Sequence, residues 1–327
     1  SSDVCSSDLG TYPFGCFYGD WGRLKYEDRC VLENKFIRAE FDPLSMRLIS
    51  LYDKSENAEK LDPEGFSGLS VADTQDSGMT AWLIGRYLKK TPVTRLTCSD
   101  RFDNGALRSG YSFRLKMLGS TADCTVSLDA DSHYLQFAYT VDWNERSGET
   151  LPVLTFELAI KDKADRYLCD VPMGTAIRAG ANHDVPCLSF CAAVSKNSAP
   201  GSASVVLRSD SKYGYRLFGG DMALTLINTA HNPDPLPERF IHTFSVYVGT
   251  EQPDPLELYR TSEKLAHVPK ALPVNPHTGT LPPSGTLMTA SAGTAFMTSL
   301  SFANGSIRPR LVELKGEKNL AAFRVND

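Results

Sequence analysis

The stretch YSFRLKMLGSTADCTVSLDADSHYLQFAYTVDW, residues 111–143, decides the fold. Tyr111, Phe113, Leu115 and Met117 alternate with Ser112, Arg114 and Lys116. Successive side chains of a strand point to opposite faces, so this alternation describes a strand with one face buried and one wet. Cys124, Val126 and Leu128 repeat it and lead to a polar turn at Asp129–Ser132. The chain then returns through Leu135, Phe137, Tyr139 and Val141.

The same period extends outward in both directions. Phe36–Phe41 (FIRAEF), Asp42-Pro43 and Leu48–Tyr52 (LISLY) read as a hairpin. Leu154, Phe156, Leu158 and Ile160 continue the pattern, as do Met222, Leu224 and Leu226, then Phe244, Val246 and Val248. Runs of this kind, separated by turn residues, call for an all-β chain of antiparallel sheets packed face to face. One segment departs from it. Asp254-Pro255-Leu256-Glu257 offers a cap, a proline in the first turn and an early acid, so one short helix is expected through about Ala266. Leu258, Tyr259 and Leu265 are available to pack it. The proline-dense segment 269–283 reads as a linker. Strand pattern resumes at Leu287–Ala290, Ala295–Phe302 and Arg310–Leu314. The expected organisation is a large sandwich over 31–268, the linker, and an incomplete small β unit over 284–327, cut short at Asp327.

Composition narrows the function classes. The chain has 327 residues, 42% apolar and 22% charged, which suits an ordinary soluble globular protein with a large core. A formal net charge of −5 gives no footprint for nucleic acid or anionic lipid. No apolar run approaches the roughly 20 residues of a membrane span. Among the cysteines, Cys16, Cys30, Cys98, Cys124, Cys169, Cys187 and Cys191 form no CxxC pair and no metal-ligand ladder. They read as reduced structural thiols, which fits a bacterial cytoplasm. Cys187 and Cys191 (CLSFC) are spaced to clip a turn. Cys5 belongs to SSDVCSSDL, residues 1–9, which lacks the charged and apolar regions of a signal peptide. That stretch reads either as what one reading frame of a sequencing adapter encodes, with natural sequence expected to begin near Gly10, or as a disordered Ser/Asp-rich tail, and a lead-in segment follows to residue 30.

Several segments are similar to one family. VLENKFIRAEFDP (Val31–Pro43) and RLISLYDK (Arg47–Lys54) resemble the first hairpin of the C-terminal region of family 38 glycoside hydrolases, the α-mannosidases. VDWNER (Val141–Arg146), VPMGTAIRAG (Val171–Gly180) and DSKYGYRLFGGDMALTLI (Asp210–Ile227) resemble later motifs of that region. NPDP with IHTFSVYVG, and RPRLVELKGE (Arg308–Glu317), follow in the same order. The resemblance implies a galactose mutarotase-like super-sandwich and a parent enzyme that hydrolyses terminal α-mannosides. In that family a zinc ion held by histidines and aspartates binds the sugar, one aspartate attacks the anomeric carbon, and a second carboxyl protonates the leaving oxygen. Those residues sit on an N-terminal barrel that this chain lacks. Its His183-Asp184 are adjacent rather than spaced as His-x-Asp. No catalytic residue carries over, no cofactor is expected in this fragment, and the expected partners are the barrel and an α-mannoside.

The remaining chemistry has plainer alternatives. His133, His183, His231, His242, His267 and His277 show no metal-ligand spacing, and His242 reads as a strand histidine. Trp82 and Arg86, in SGMTAWLIGRY (Ser77–Tyr87) beside Asp73 and Asp76, would give a sugar a stacking face and a guanidinium. The plainer reading is a core tryptophan with an arginine paired to a neighbouring acid. Trp143, with Asp142, Glu145 and Arg146, reads either as a ligand platform or as part of a strand-end salt-bridge cluster. Arg178, in a Gly-flanked loop, is the candidate to reach a neighbouring domain's pocket. Asn304-Gly305-Ser306 is a formal glycosylation sequon of little weight in a bacterial protein.

Three functions compete. A non-catalytic accessory domain predicts an exposed apolar area for docking. A mutarotase-like epimerase needs histidines and a carboxylate converging on one concave sheet. A carbohydrate-binding module needs an exposed aromatic among Trp21, Trp82 and Trp143.

Overall fold

The computed structural model describes residues 30–148, 151–197, 201–231, 240–280, 284–286, 288–291 and 293–325. The adapter-like residues, the lead-in segment before Cys30 and Trp21 lie outside the described residues. β1 (Cys30–Glu33), β2 (Ile37–Phe41), β3 (Leu48–Asp53) and β4 (Ala58–Glu59) form a four-stranded meander. The expected hairpin is β2 with β3, antiparallel, with a register shift between Glu40 and Phe41.

The body follows. β5 (Gly68–Thr74), β6 (Tyr87–Pro92), β7 (Arg95–Asn104), β8 (Arg108–Met117), β9 (Ser120–Asp129) and β10 (Tyr134–Trp143) come first. The stretch 111–143 is therefore most of β8, all of β9 and all of β10, paired in sequence as antiparallel neighbours. β11 (Leu151–Leu158), β12 (Arg166–Val171), β13 (Gly174–Arg178), β14 (Ala181–Pro186) and β15 (Phe190–Val194) come next. β16 (Ser204–Ser209), β17 (Gly214–Phe218), β18 (Asp221–Asn228) and β19 (Phe240–Glu251) complete it. Nine of these strands form one sheet in the order β13-β12-β15-β16-β19-β10-β9-β8-β7. Six form the other, in the order β14-β17-β18-β11-β5-β6. Every ladder in both is antiparallel.

The sheets face each other across one apolar core. Phe137 on β10 meets Phe156 on β11 at 5.2 Å between ring centroids, and Phe41 of the meander packs 6.2 Å from Phe137. These tilted and edge-to-face contacts are the geometry that aromatic quadrupoles favour. Burial along β10 alternates without a break. On β11 all eight residues are buried. The periodic Leu154, Phe156 and Leu158 mark only its inner face; Val153, Thr155 and Glu157 are covered from outside as well.

The helix α1 (Pro255–Ala266) is the one expected, with Asp254 as its cap accepting from the Leu256 and Glu257 amides. Leu258 packs on Leu168, Phe190, Ala192 and Val206, so α1 covers the outer side of the nine-stranded sheet. Arg208 of β16 is 1% exposed and makes two hydrogen bonds to Glu251 at 2.6 and 3.0 Å. Its Nε donates to Ser262 of the helix at 3.2 Å. One guanidinium thus joins β16, β19 and α1.

Residues 268–280 carry no helix or strand and are exposed. Beyond them β20 (Met288–Ser291) pairs with β23 (Ala322–Val325), and β21 (Ala295–Ala303) pairs with β22 (Ser306–Glu313). β23 has no counterpart among the expected runs. Its four residues are too few to show a period. Phe296, Val312 and Leu314 pack on Leu256 and Tyr259 of the helix, and the Lys315 ammonium meets the Asp254 carboxylate.

Two stability outcomes follow. Arg208→Ala strands the Glu251 charge in a protein interior and is expected to destabilise by about 3–5 kcal/mol. The double variant Arg208→Met/Glu251→Leu should lose less, and urea unfolding of both checks this. Desolvation pushes the Asp254 carboxyl up, but Lys315 and the helix amides outweigh it and hold it below its usual value. Asp254→Ala should therefore cost about 1 kcal/mol near neutral pH. The sign is that of a depressed acid: the difference from the native chain vanishes as pH falls through the lowered folded value. Urea midpoints at neutral and acid pH measure it.

Candidate functional site

The outer face of the six-stranded sheet carries a buried polar layer. Arg216 of β17 donates from Nε to Asp184 of β14 at 3.0 Å, and its Nη2 lies 2.9 Å from the same carboxylate oxygen as an ion pair. The second oxygen of Asp184 accepts from the Thr225 hydroxyl at 2.6 Å. The same guanidinium reaches the Asn182 carbonyl at 3.3 Å and lies 3.5 Å from the Tyr87 ring centroid. Burial, followed by the nearby Asp184 charge, pushes the Tyr87 phenol far above its ordinary value, so it stays protonated. On β11, Glu157 accepts from Lys90 at 2.8 Å and from Thr155 at 2.7 Å.

Each of these carboxylates thus pairs with a cation of the same sheet, Asp184 with Arg216 on the adjacent strand and Glu157 with Lys90 two strands away on β6. Such pairs are held for geometry, and neither carboxylate is free of its cation partner to act in proton transfer.

What this layer positions is the β5–β6 connection. Arg216 Nη2 donates to the Gly85 carbonyl at 3.3 Å. Thr80 is buried; its carbonyl accepts from Asn228 at 2.8 Å and its hydroxyl from the His231 amide at 2.7 Å. Gln75 closes the loop base by donating to the Arg86 carbonyl at 2.9 Å. A Cβ on Gly85 would stand 2.0 Å from the Gln75 carbonyl oxygen, so only glycine fits there. Gly78 and Met79 take positive φ at the tip, and the Trp82 and Leu83 amides both fold back on the Met79 carbonyl. The result is an anchored loop that leaves Met79, Trp82 and Leu83 outside, with Trp82 66% exposed.

The sequence candidates separate on this frame. Trp82 is no core tryptophan, because the buried anchor of its segment is Thr80. Arg86 is exposed at the end of the same loop. Trp143 is 3% exposed, with its indole N–H donating to Thr229 at 2.9 Å, so it belongs to the core and offers no ligand face. Beside it, Glu145 accepts from the Gly119 amide at 2.9 Å and from the Ser120 hydroxyl. Arg178 is not in a loop: it ends β13, the edge of the nine-stranded sheet, and turns back toward the Pro186 carbonyl at 3.4 Å.

The histidines stay apart. His133 stacks on Phe36, His231 meets Ser147, His267 meets Glu263, and His277 meets the adjacent Thr278 carbonyl. His183 is exposed on β14. On β19, desolvation and then Lys212 hold His242 below its ordinary value. A cleft of about 160 Å³ beside Lys264 and Arg108 is smaller than the roughly 300 Å³ of ordinary ligand sites. The feature that sequence spacing missed is the convergence of Cys169, Cys187 and Cys191, whose sulfurs all lie within 4.8 Å of one another. The four-residue step from Cys187 to Cys191 was its only local trace.

Comparison with known proteins places this architecture. Two solved structures share it: an α-mannosidase from Enterococcus faecalis V583 and a protein of glycosyl hydrolase family 38 from Enterococcus faecalis. Each superposes with a TM-score of 0.73 at 14% identity over 90% of this chain. This chain spans only 38% and 39% of theirs. A galactose mutarotase-like protein from Lactobacillus casei ATCC 334 lies much further away, at a TM-score of 0.39 and 13% identity over 68% of this chain and 100% of its own. No curated protein matches the sequence. The model of the glycosyl hydrolases family 38 C-terminal domain matches residues 32–236, more than half of the chain, and the chain therefore belongs to that family.

Proposed function

We propose that this chain is the non-catalytic accessory domain of an α-mannosidase, docked on a separate barrel that holds the zinc and hydrolyses terminal α-mannosides. The observation that carries the reading is the pair of coverages: 90% of this chain against 38% of an α-mannosidase chain. The polar layer supports it too. A retaining glycosidase needs one acid free to give a proton and one free carboxylate about 5–5.5 Å away. Glu157 and Asp184 are each tied to a cation. Met79, Trp82 and Leu83 on the anchored loop supply exposed apolar surface for docking. No helix of the described residues is long and apolar enough to cross a membrane. A cytoplasmic bacterial setting remains part of the proposal.

The exposed Trp82 also favours a second reading, a carbohydrate-binding module with that indole as its platform. The separate settings of the six histidines favour neither two-histidine catalysis nor an epimerase.

The purified chain with added Zn²⁺ is expected to release no aryl alcohol from an aryl α-mannoside. Turnover that disappears in Glu157→Gln or Asp184→Asn would sink the accessory reading. Calorimetric titration with α-mannosides should give no heat; binding lost in Trp82→Ala would move the assignment to the binding module. As for the loop, Gly85→Ala should open new protease cleavage between Gln75 and Arg86. Trp82→Ala should leave the unfolding free energy within about 0.5 kcal/mol, as for other surface substitutions.

A further inference from the structure

Cys169 on β12 stands opposite Cys191 on β15 in the antiparallel register, with the two sulfurs 3.7 Å apart. Cys187 follows β14, the edge strand of the other sheet, and completes the group from across the seam between the sheets. All three are essentially inaccessible. The turn carrying Cys187 is fastened on both sides. The Cys187 amide donates to the Tyr213 carbonyl at 3.0 Å, and the Leu188 amide donates to the Asp170 carbonyl at 3.0 Å. The next amide, of Ser189, donates to the Asp170 carboxylate at 3.1 Å.

A plain apolar core of thiols does not explain its surroundings. Arg178 Nε is buried and has no hydrogen-bond partner. The Tyr215 hydroxyl is fully buried, likewise without a partner, and within electrostatic reach of all three sulfurs. The Arg178 charge lies within electrostatic reach of Cys169 and Cys187. An unsatisfied guanidinium N–H and an unsatisfied phenol are expensive neighbours for three neutral thiols.

We propose that Cys169, Cys187 and Cys191 form a three-sulfur site for a thiophilic dication of the zinc type, with Arg178 as its charge-balancing neighbour. Sulfurs around tetrahedral zinc, at about 2.3 Å from the metal, are about 3.8 Å from each other. The Cys169–Cys191 separation already matches, and a small rotation closes the remaining edges. Three S–H bonds break, three S–metal bonds form and three protons leave to solvent. Three thiolates and a dication sum to −1, which one guanidinium cancels. A disulfide would use two of the sulfurs and leave the third, and the arginine, unexplained. The bound ion would staple the nine-stranded sheet to the six-stranded one at their β12–β14 margin.

The test uses the full chain, reduced and titrated with Co²⁺ alone. The expected result is one tightly held Co²⁺ per chain with thiolate-to-metal charge transfer and the visible bands of tetrahedral sulfur ligation. Cys169→Ala and Cys191→Ala should abolish these bands, while Cys124→Ala, equally buried but remote, should keep them. Should Cys169→Ala fail to fold, Cys187→Ala in the turn gives the same reading. Arg178→Gln should keep the spectrum and weaken binding about 10- to 100-fold, as for other groups that support metal ligands. The site is overturned if the bands survive in both Cys191→Ala and Cys187→Ala. It is also overturned if the reduced chain takes up no Co²⁺, or if native chain is two mass units light and binds metal neither before nor after reduction.

Discussion

The contact between β10 and β11, where Phe137 meets Phe156, fixes everything else in the domain. It sets two broad sheets face to face and places β11 at the centre of the smaller one. β11 is flanked by β18 and β5 and has all eight residues buried, so neither of its faces is open to water. Its outward residues must then be apolar or fully partnered. Thr155 and Glu157 meet that requirement with hydroxyl, carboxylate and lysine together. Arg216 on β17, two strands away, and Asp184 on β14, three away, meet it as a pair, and the same guanidinium holds the β5–β6 loop at Gly85.

In that layer the charged side chains are tied to one another and to the loop above them. Carboxylates already paired with a cation make poor catalytic groups but good anchors. The loop they hold presents an indole, and its conformation is over-determined by a buried threonine, a glycine with no room for a side chain, and an arginine. Surface aromatic residues on mobile loops lose entropy when they bind. Trp82 has much of that ordering done in advance.

Much of the fold was legible because β10 and β8 obey a period of two with almost no exceptions. The cap at Asp254 was legible because helix starts use a short local code. Where reading failed, the cause was tertiary. Leu154, Phe156 and Leu158 look like one face of an ordinary strand, and nothing nearby says that Thr155 and Glu157 are buried too. Trp82 looks like a core residue by type, yet Thr80 takes the buried place, where its carbonyl accepts from Asn228 and its hydroxyl from the His231 amide. Glycines around Arg178 suggest a loop, but Gly174 follows a two-residue turn and begins β13, paired with Val171 of β12. The three cysteines meet only because β12, β15 and the end of β14 come together from two sheets, which no spacing rule encodes.

The strand order has a further meaning for how the chain reaches this state. β10 lies beside β19, its partner residues Val141 and His242 about a hundred positions apart, and β5 lies beside β11 across the whole of β6–β10. Neither large sheet is built from one continuous stretch of chain. The centre of the nine-stranded sheet is closed only when β19 arrives, after every other body strand has been made. Long-range pairing of this kind makes for slow, all-or-none assembly. Any partial product exposes the bare edge of β10 to other chains. The helix that follows β19 directly covers the finished sheet, and Arg208 ties the last strand to it, so closure and locking occur at the same end of the sequence.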